Sequence, residues 1–167
     1  MRTPLIAAAL TAMLAAAPAT AKTLTFRGML GGTRVPTVTN SPAGGRAVVK
    51  VDTATHKVSL DLDVTGITLD QLDPASRAQP TGPVHFHQYR TPDDVEMVLP
   101  VPYGATYVAT KGGFRVSLRG YDYDTGARLA ETGATFDDFV NALRAGKIVV
   151  DVHTRRFPNG EISGATG

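Results

Sequence analysis

Hydrophobic and polar residues alternate along much of this chain. Lys57 to Val64 reads Lys-Val-Ser-Leu-Asp-Leu-Asp-Val. Its period of two puts Val58, Leu60, Leu62 and Val64 on one face, as in a strand with one buried side. Ala47, Val49 and Val51 alternate in the same way just before it, and Asp52 to His56 between the two runs predicts a hairpin turn. Leu24 and Phe26 predict a first strand. Phe114, Val116 and Leu118 predict a later one, Ile148, Val150 and Val152 another, and Glu161 to Ala165 a closing one. Many short strands separated by Gly and Pro turns predict an all-β, antiparallel two-sheet sandwich or barrel.

One stretch departs from this period. Phe136, Phe139, Val140 and Leu143 fall at helical spacing. Thr135 stands before them as an N-cap, Asp138 takes the third position of a capping box, and Gly146 supplies a stop. The spacing predicts one short helix from about Phe136 to Ala145.

The first residues follow a different logic. Met1-Arg2 supplies a positive charge, an alanine-rich apolar run extends from Leu5 to Ala17, and small residues stand at Ala19 and Ala21. That order predicts a secretory signal over residues 1–21, cleaved to leave residues 22–167 as one domain. The apolar run is short of the roughly 20 residues of a membrane span, so no span is expected after cleavage. The expected location is outside the cytoplasm, periplasmic or secreted. The chain carries 17 Lys and Arg against 15 Asp and Glu, and removing Arg2 narrows the excess. This near balance, without a basic run, argues against a nucleic-acid partner. With no Cys, thiol redox, zinc-finger and cysteine-nucleophile chemistry are excluded.

The histidines carry the candidate chemistry. In His85-Phe86-His87, Val84 and Phe86 face the core, and His85, His87 and Tyr89 face the other way together. Two imidazoles on one rigid face form half of a metal site. The later strand repeats the pattern. With Ile148, Val150 and Val152 turned to the core, Val149, Asp151 and His153 face away. His56 falls in the predicted turn and is expected to be solvated. Asp93-Asp94 reads as a turn, and Asp137-Asp138 as helix-dipole acids. Met97 reads as packing rather than as a soft ligand. Arg155-Arg156 reads as a solvated loop or as a guide for an anion near the histidines. No serine sits in a nucleophile signature, and no catalytic residue is assigned.

The ordered motifs of the chain resemble the CHRD domain family, named after chordin. The likeness runs from Leu24 through Val35-Pro36, Gly44-Gly45, Asp52 and Val64-Thr65-Gly66-Ile67. It continues through Gly82-Pro83-Val84 with His85-Phe86-His87, and Phe139 to Gly146. It closes with Val152-His153-Thr154 and Phe157-Pro158-Asn159-Gly160-Glu161-Ile162-Ser163-Gly164. The family implies a β-sandwich in exported proteins and leaves biochemical activity open. Ser163 stands where the family commonly has arginine, and Gln88 where it commonly has glycine. A more distant likeness is to copper–zinc superoxide dismutases, in which an H-x-H pair and a late histidine bind copper. Carried over, it implies copper ligands at His85, His87 and His153, without the bridging histidine, zinc-loop cluster or disulfide of those enzymes. The expectation is an exported, immunoglobulin- or superoxide-dismutase-like sandwich holding a metal ion, copper before zinc, at His85, His87 and His153. The alternatives are a metal-free module for an envelope or extracellular protein partner, and a copper-only dismutase-like enzyme.

Overall fold

The computed structural model describes residues 22–34, 38–91 and 94–167. The expected signal segment, Val35-Pro36 and Asp93 lie outside the described residues.

The strands are β1 (Thr23–Gly31), β2 (Gly44–Asp52), β3 (Lys57–Thr65), β4 (Val84–Thr91), β5 (Asp94–Val101), β6 (Tyr107–Thr110), β7 (Gly113–Asp122), β8 (Ile148–Val152) and β9 (Ile162–Thr166). They form one antiparallel sheet in the order β5-β4-β8-β9-β1-β2-β3-β7-β6. The sheet curls, as in a sandwich or barrel, so that one face becomes a shared interior. The two edge strands approach each other: Tyr107 on β6 donates its hydroxyl to the carbonyl of Val101, the last residue of β5, at 2.8 Å.

The alternation explains the interior. Ala47, Val49 and Val51 of β2, the four apolar residues of β3, and Phe114, Val116 and Leu118 of β7 are buried there. So are Val84 and Phe86 of β4, Ile148, Val150 and Val152 of β8, and Ile162 of β9. The hairpin turn forms where expected. The Asp52 carboxylate accepts from the amides of Ala54 and Thr55, and His56 closes the turn at φ 54°. His56 is exposed, and its ring stacks on Phe136 at 4.1 Å between centroids.

There are three α-helices among the described residues: α1 (Pro74–Ala78), α2 (Tyr123–Ala130) and α3 (Phe136–Arg144). Only α3 is announced by helical spacing. Its capping box is present: the Asp138 amide donates to Thr135 Oγ1 at 3.2 Å, and the Thr135 amide donates to the Asp138 carboxylate at 3.0 Å. Phe136, Phe139, Val140 and Leu143 are buried. The expectation of one helix is corrected by α2, capped by the Asp122 carboxylate on the Thr125 amide. Gly126 lies inside α2, and a Cβ there would sit 2.3 Å from Leu99 Cδ1. The glycine weakens helix propensity but lets α2 lie close on β5, so tertiary contact overrides the local signal.

Candidate metal centre

The registers bring the site together. On β4, His85 stands opposite Asp151 of β8, and His87 opposite Val149. Directly paired residues share a sheet face, so both histidines and Asp151 lie on the face opposite the core. His153 follows the last residue of β8. Its amide donates to the Pro83 carbonyl at 2.9 Å, and its own carbonyl accepts from Asp73 at 3.1 Å. The outer face is closed over at this point: His85, Asp151 and His153 are each no more than 9% exposed.

Two loop segments supply that closure. In Gly82-Pro83-Val84-His85, Gly82 has φ +70°, and a Cβ there would meet the Val101 carbonyl at 2.2 Å. Only glycine fits such a place. Its carbonyl accepts from His85 Nε2 at 2.8 Å. In the later motif, the Pro158 carbonyl accepts from His153 Nδ1 at 2.7 Å. Gly160, at φ +104°, packs its backbone on Asp151, whose Oδ2 would lie 3.4 Å from any Cβ. Glu161 fixes the loop from both sides, since Ser41 Oγ and Thr154 Oγ1 each donate to its carboxylate at 2.6 Å.

These carbonyls determine the tautomers, because a carbonyl only accepts. His85 carries hydrogen on Nε2, and His153 carries it on Nδ1. The remaining nitrogens, His85 Nδ1 and His153 Nε2, face each other at 3.0 Å. His153 Nε2 also lies 3.1 Å from Asp151 Oδ1, and His87 Nε2 lies 3.4 Å from Asp151 Oδ2. Two neutral imidazoles cannot face each other through lone pairs without a cation between them. A proton or a metal ion meets that need.

His87 adds an independent observation. Its side chain is 15% exposed, and among the described residues neither ring nitrogen has a hydrogen-bond partner; Asp151 Oδ1 has none of adequate angle either. Buried polar atoms without partners are costly and rare. One ligand atom from each of His85, His87, Asp151 and His153 lies within 4.8 Å of all the others. Two donors at about 2.0–2.1 Å from one ion stand about 2.9 Å apart at a right angle and about 3.3–3.4 Å apart at the tetrahedral angle. The close contacts, 3.0 to 3.4 Å, fall across that range. The four residues therefore form a group that could hold a metal ion.

The electrostatics agree with the donor set. Burial pushes the His85 imidazole down to about 4, and burial also lowers His87, so both are neutral near pH 7. Burial acts against the charged forms of Asp151 and His153 too. Here the close approach and opposite charge of the pair, 3.1 Å apart, win, so Asp151 stands below its ordinary value and His153 above its own. The His153 ring is therefore the one imidazole of the three whose charged form is favoured, by the Asp151 carboxylate 3.1 Å from its Nε2.

The three histidines singled out by alternation thus converge, with ring centroids 4.5 to 6.2 Å apart. His56 is not in the group. Asp151 is the donor that sequence reasoning did not count, although the alternation of β8 places it beside His153. The carbonyls of Gly82 and Pro158 have no side-chain signal at all.

A family model for the CHRD domain matches residues 26–165. No curated protein and no solved structure matches the chain at significant similarity. The family match runs from β1 to β9 and spans all four residues of the candidate centre, and this chain belongs to the CHRD domain family.

Proposed function

We propose that this protein is an exported CHRD domain that binds a copper ion through His85, His87 and His153, with Asp151 as a fourth donor. The observation that carries the reading is the pair of buried, unpartnered ring nitrogens of half-buried His87, set among three other donor groups. Copper is favoured because imidazole suits it and because it heads the divalent affinity order. Zinc is the second reading. It is favoured by the carboxylate among the donors and by spacings that reach the tetrahedral value. Export is supported by the basic, apolar and Ala-x-Ala order of residues 1–21. The role is holding or handling the ion, with the domain as a rigid carrier.

The metal content of protein purified from the cell envelope, measured by mass spectrometry, tests both parts. About one copper per chain is expected, with an electron paramagnetic resonance signal showing nitrogen couplings from imidazole. About one zinc and no copper selects the second reading. A cytoplasmic, metal-free protein that takes up neither ion contradicts the proposal.

A further inference from the structure

Several arginines among the described residues are engaged. Arg90 holds Asp94 and Glu96, Arg115 holds Asp63, and Arg119 holds Asp61. Arg27, Arg34 and Arg46 differ. They are exposed, and among the described residues their guanidinium groups make no ion pair and no hydrogen bond. All three line one groove of about 430 Å³.

The registers explain how they meet. Arg27 on β1 is opposite Val48, and Met29 is opposite Arg46 on β2, so the two arginines take diagonal positions on one face. Arg34 follows β1, and its side chain folds back over Gly31, where a Cβ would be 3.8 Å from its Cγ, Cδ and Nε. The floor is nearly bare backbone. Gly28 lies there against Ala165, whose carbonyl would be 2.5 Å from any Cβ added to it. Met29, 52% exposed, forms an apolar lip.

Among the described residues, no acidic side chain lines this groove. The acidic side chain in closest register is Asp63, opposite Arg46, and Arg115 occupies it at 2.6 Å; the backbone of Gly167 is paired with that of Arg27, whose amide donates to the Gly167 oxygen at 3.4 Å. The residues that follow Arg34, Val35-Pro36-Thr37, include no acid. Three like charges gathered in one groove repel each other, and an anion of matching shape removes that repulsion. Guanidinium forks match the oxygens of phosphate two at a time. A tetrahedral group with several oxygens suits three forks better than a single carboxylate does.

We propose that this groove binds the phosphate group of a phosphate ester, with Met29 against the organic part. The inference is independent of the metal centre: β9 separates β1 from β8, and the groove shares no residue with the four-residue group. Two arms test it and separate the sources of the phosphate. Phenyl phosphate is titrated into the full chain and followed by phosphorus NMR. In parallel, the protein is sedimented with phosphatidylcholine vesicles with and without phosphatidic acid. Saturable binding that weakens with added salt is expected in at least one arm. Phenyl phosphate binding alone assigns a soluble ester, and selective vesicle binding assigns a lipid headgroup. Each of Arg27→Gln, Arg34→Gln and Arg46→Gln should weaken binding about tenfold or more, with melting temperature unchanged because all three are exposed. Arg128→Gln on α2 should have no effect. No binding in either arm at low salt, or equal binding by the Arg27→Gln/Arg46→Gln variant and the wild type, would overturn the proposal.

Discussion

His85 shows how little of a buried site resides in the ligand alone. Its ring is held by the Gly82 carbonyl, and that carbonyl is in place only because Gly82 can adopt φ +70° without a Cβ. Gly82→Ala should therefore weaken metal binding about 10–100-fold, the range for lost outer-shell support. Calorimetry on the folded variant checks this, and unchanged affinity would show that the carbonyl does not orient the ring. The protons give a second prediction. The unfolded-state value of histidine is about 6.5. His85 is depressed to about 4, so its contribution to stability is present above pH 6.5 and is lost as pH falls through that window. His153 is raised, so its contribution is present below pH 6.5 and is lost as pH rises through its folded value. In the metal-free protein the two oppose each other on acidification. Metal must displace the His153 proton, so affinity should fall as pH drops below that raised value, with a proton released on binding. Melting temperature against pH, with and without chelator, measures both: the metal-bound form should lose stability on acidification more steeply. The three imidazoles were legible in the sequence because strand alternation fixes their face. Asp151 shared that face but carried no mark distinguishing a ligand from a polar surface residue. The two orienting carbonyls depend on loop closure, which side-chain periodicity does not encode.

At the scale of elements, α3 and the long alternating strands could be read directly, because each buries one face and shows it as a period. The capping box gives a test. Thr135→Ala should cost about 1 kcal/mol, and Phe139→Ala, whose ring stacks on Tyr123 at 5.0 Å, should cost about 3–5 kcal/mol. Denaturant melts check both, and negligible effects from both would contradict a capped helix packed in the core. β5 was hidden for a physical reason. Val98, Leu99, Pro100 and Val101 are all buried, with α2 lying against Leu99, so the run does not alternate. β6 has only four residues, too few to establish a period. The Pro-Asn-Gly-Glu stretch gains its meaning only in the fold. Glu161 ties Ser41 and Thr154 to one loop, and Pro158 then presents its carbonyl to His153.

For the whole molecule, a cysteine-free sheet relies on packing, and a bound ion would join β4, β8 and the loops on either side of them. A metal that binds only the folded chain raises its melting temperature by mass action. Export, argued from residues 1–21, predicts that protein recovered from the envelope begins at Lys22. An intact Met1–Ala21 segment found on exported protein by mass spectrometry would contradict that cleavage. The metal centre is tested most directly by calorimetric titration of residues 22–167 with copper and with zinc, wild type beside His85→Ala, His87→Ala, His153→Ala and His56→Ala. One equivalent should bind tightly to wild type and to His56→Ala, and each of the other three variants should lose most of that affinity. Binding weaker than about 0.1 mM for both metals, or unchanged binding after loss of His85, His87 and His153 together, would contradict it.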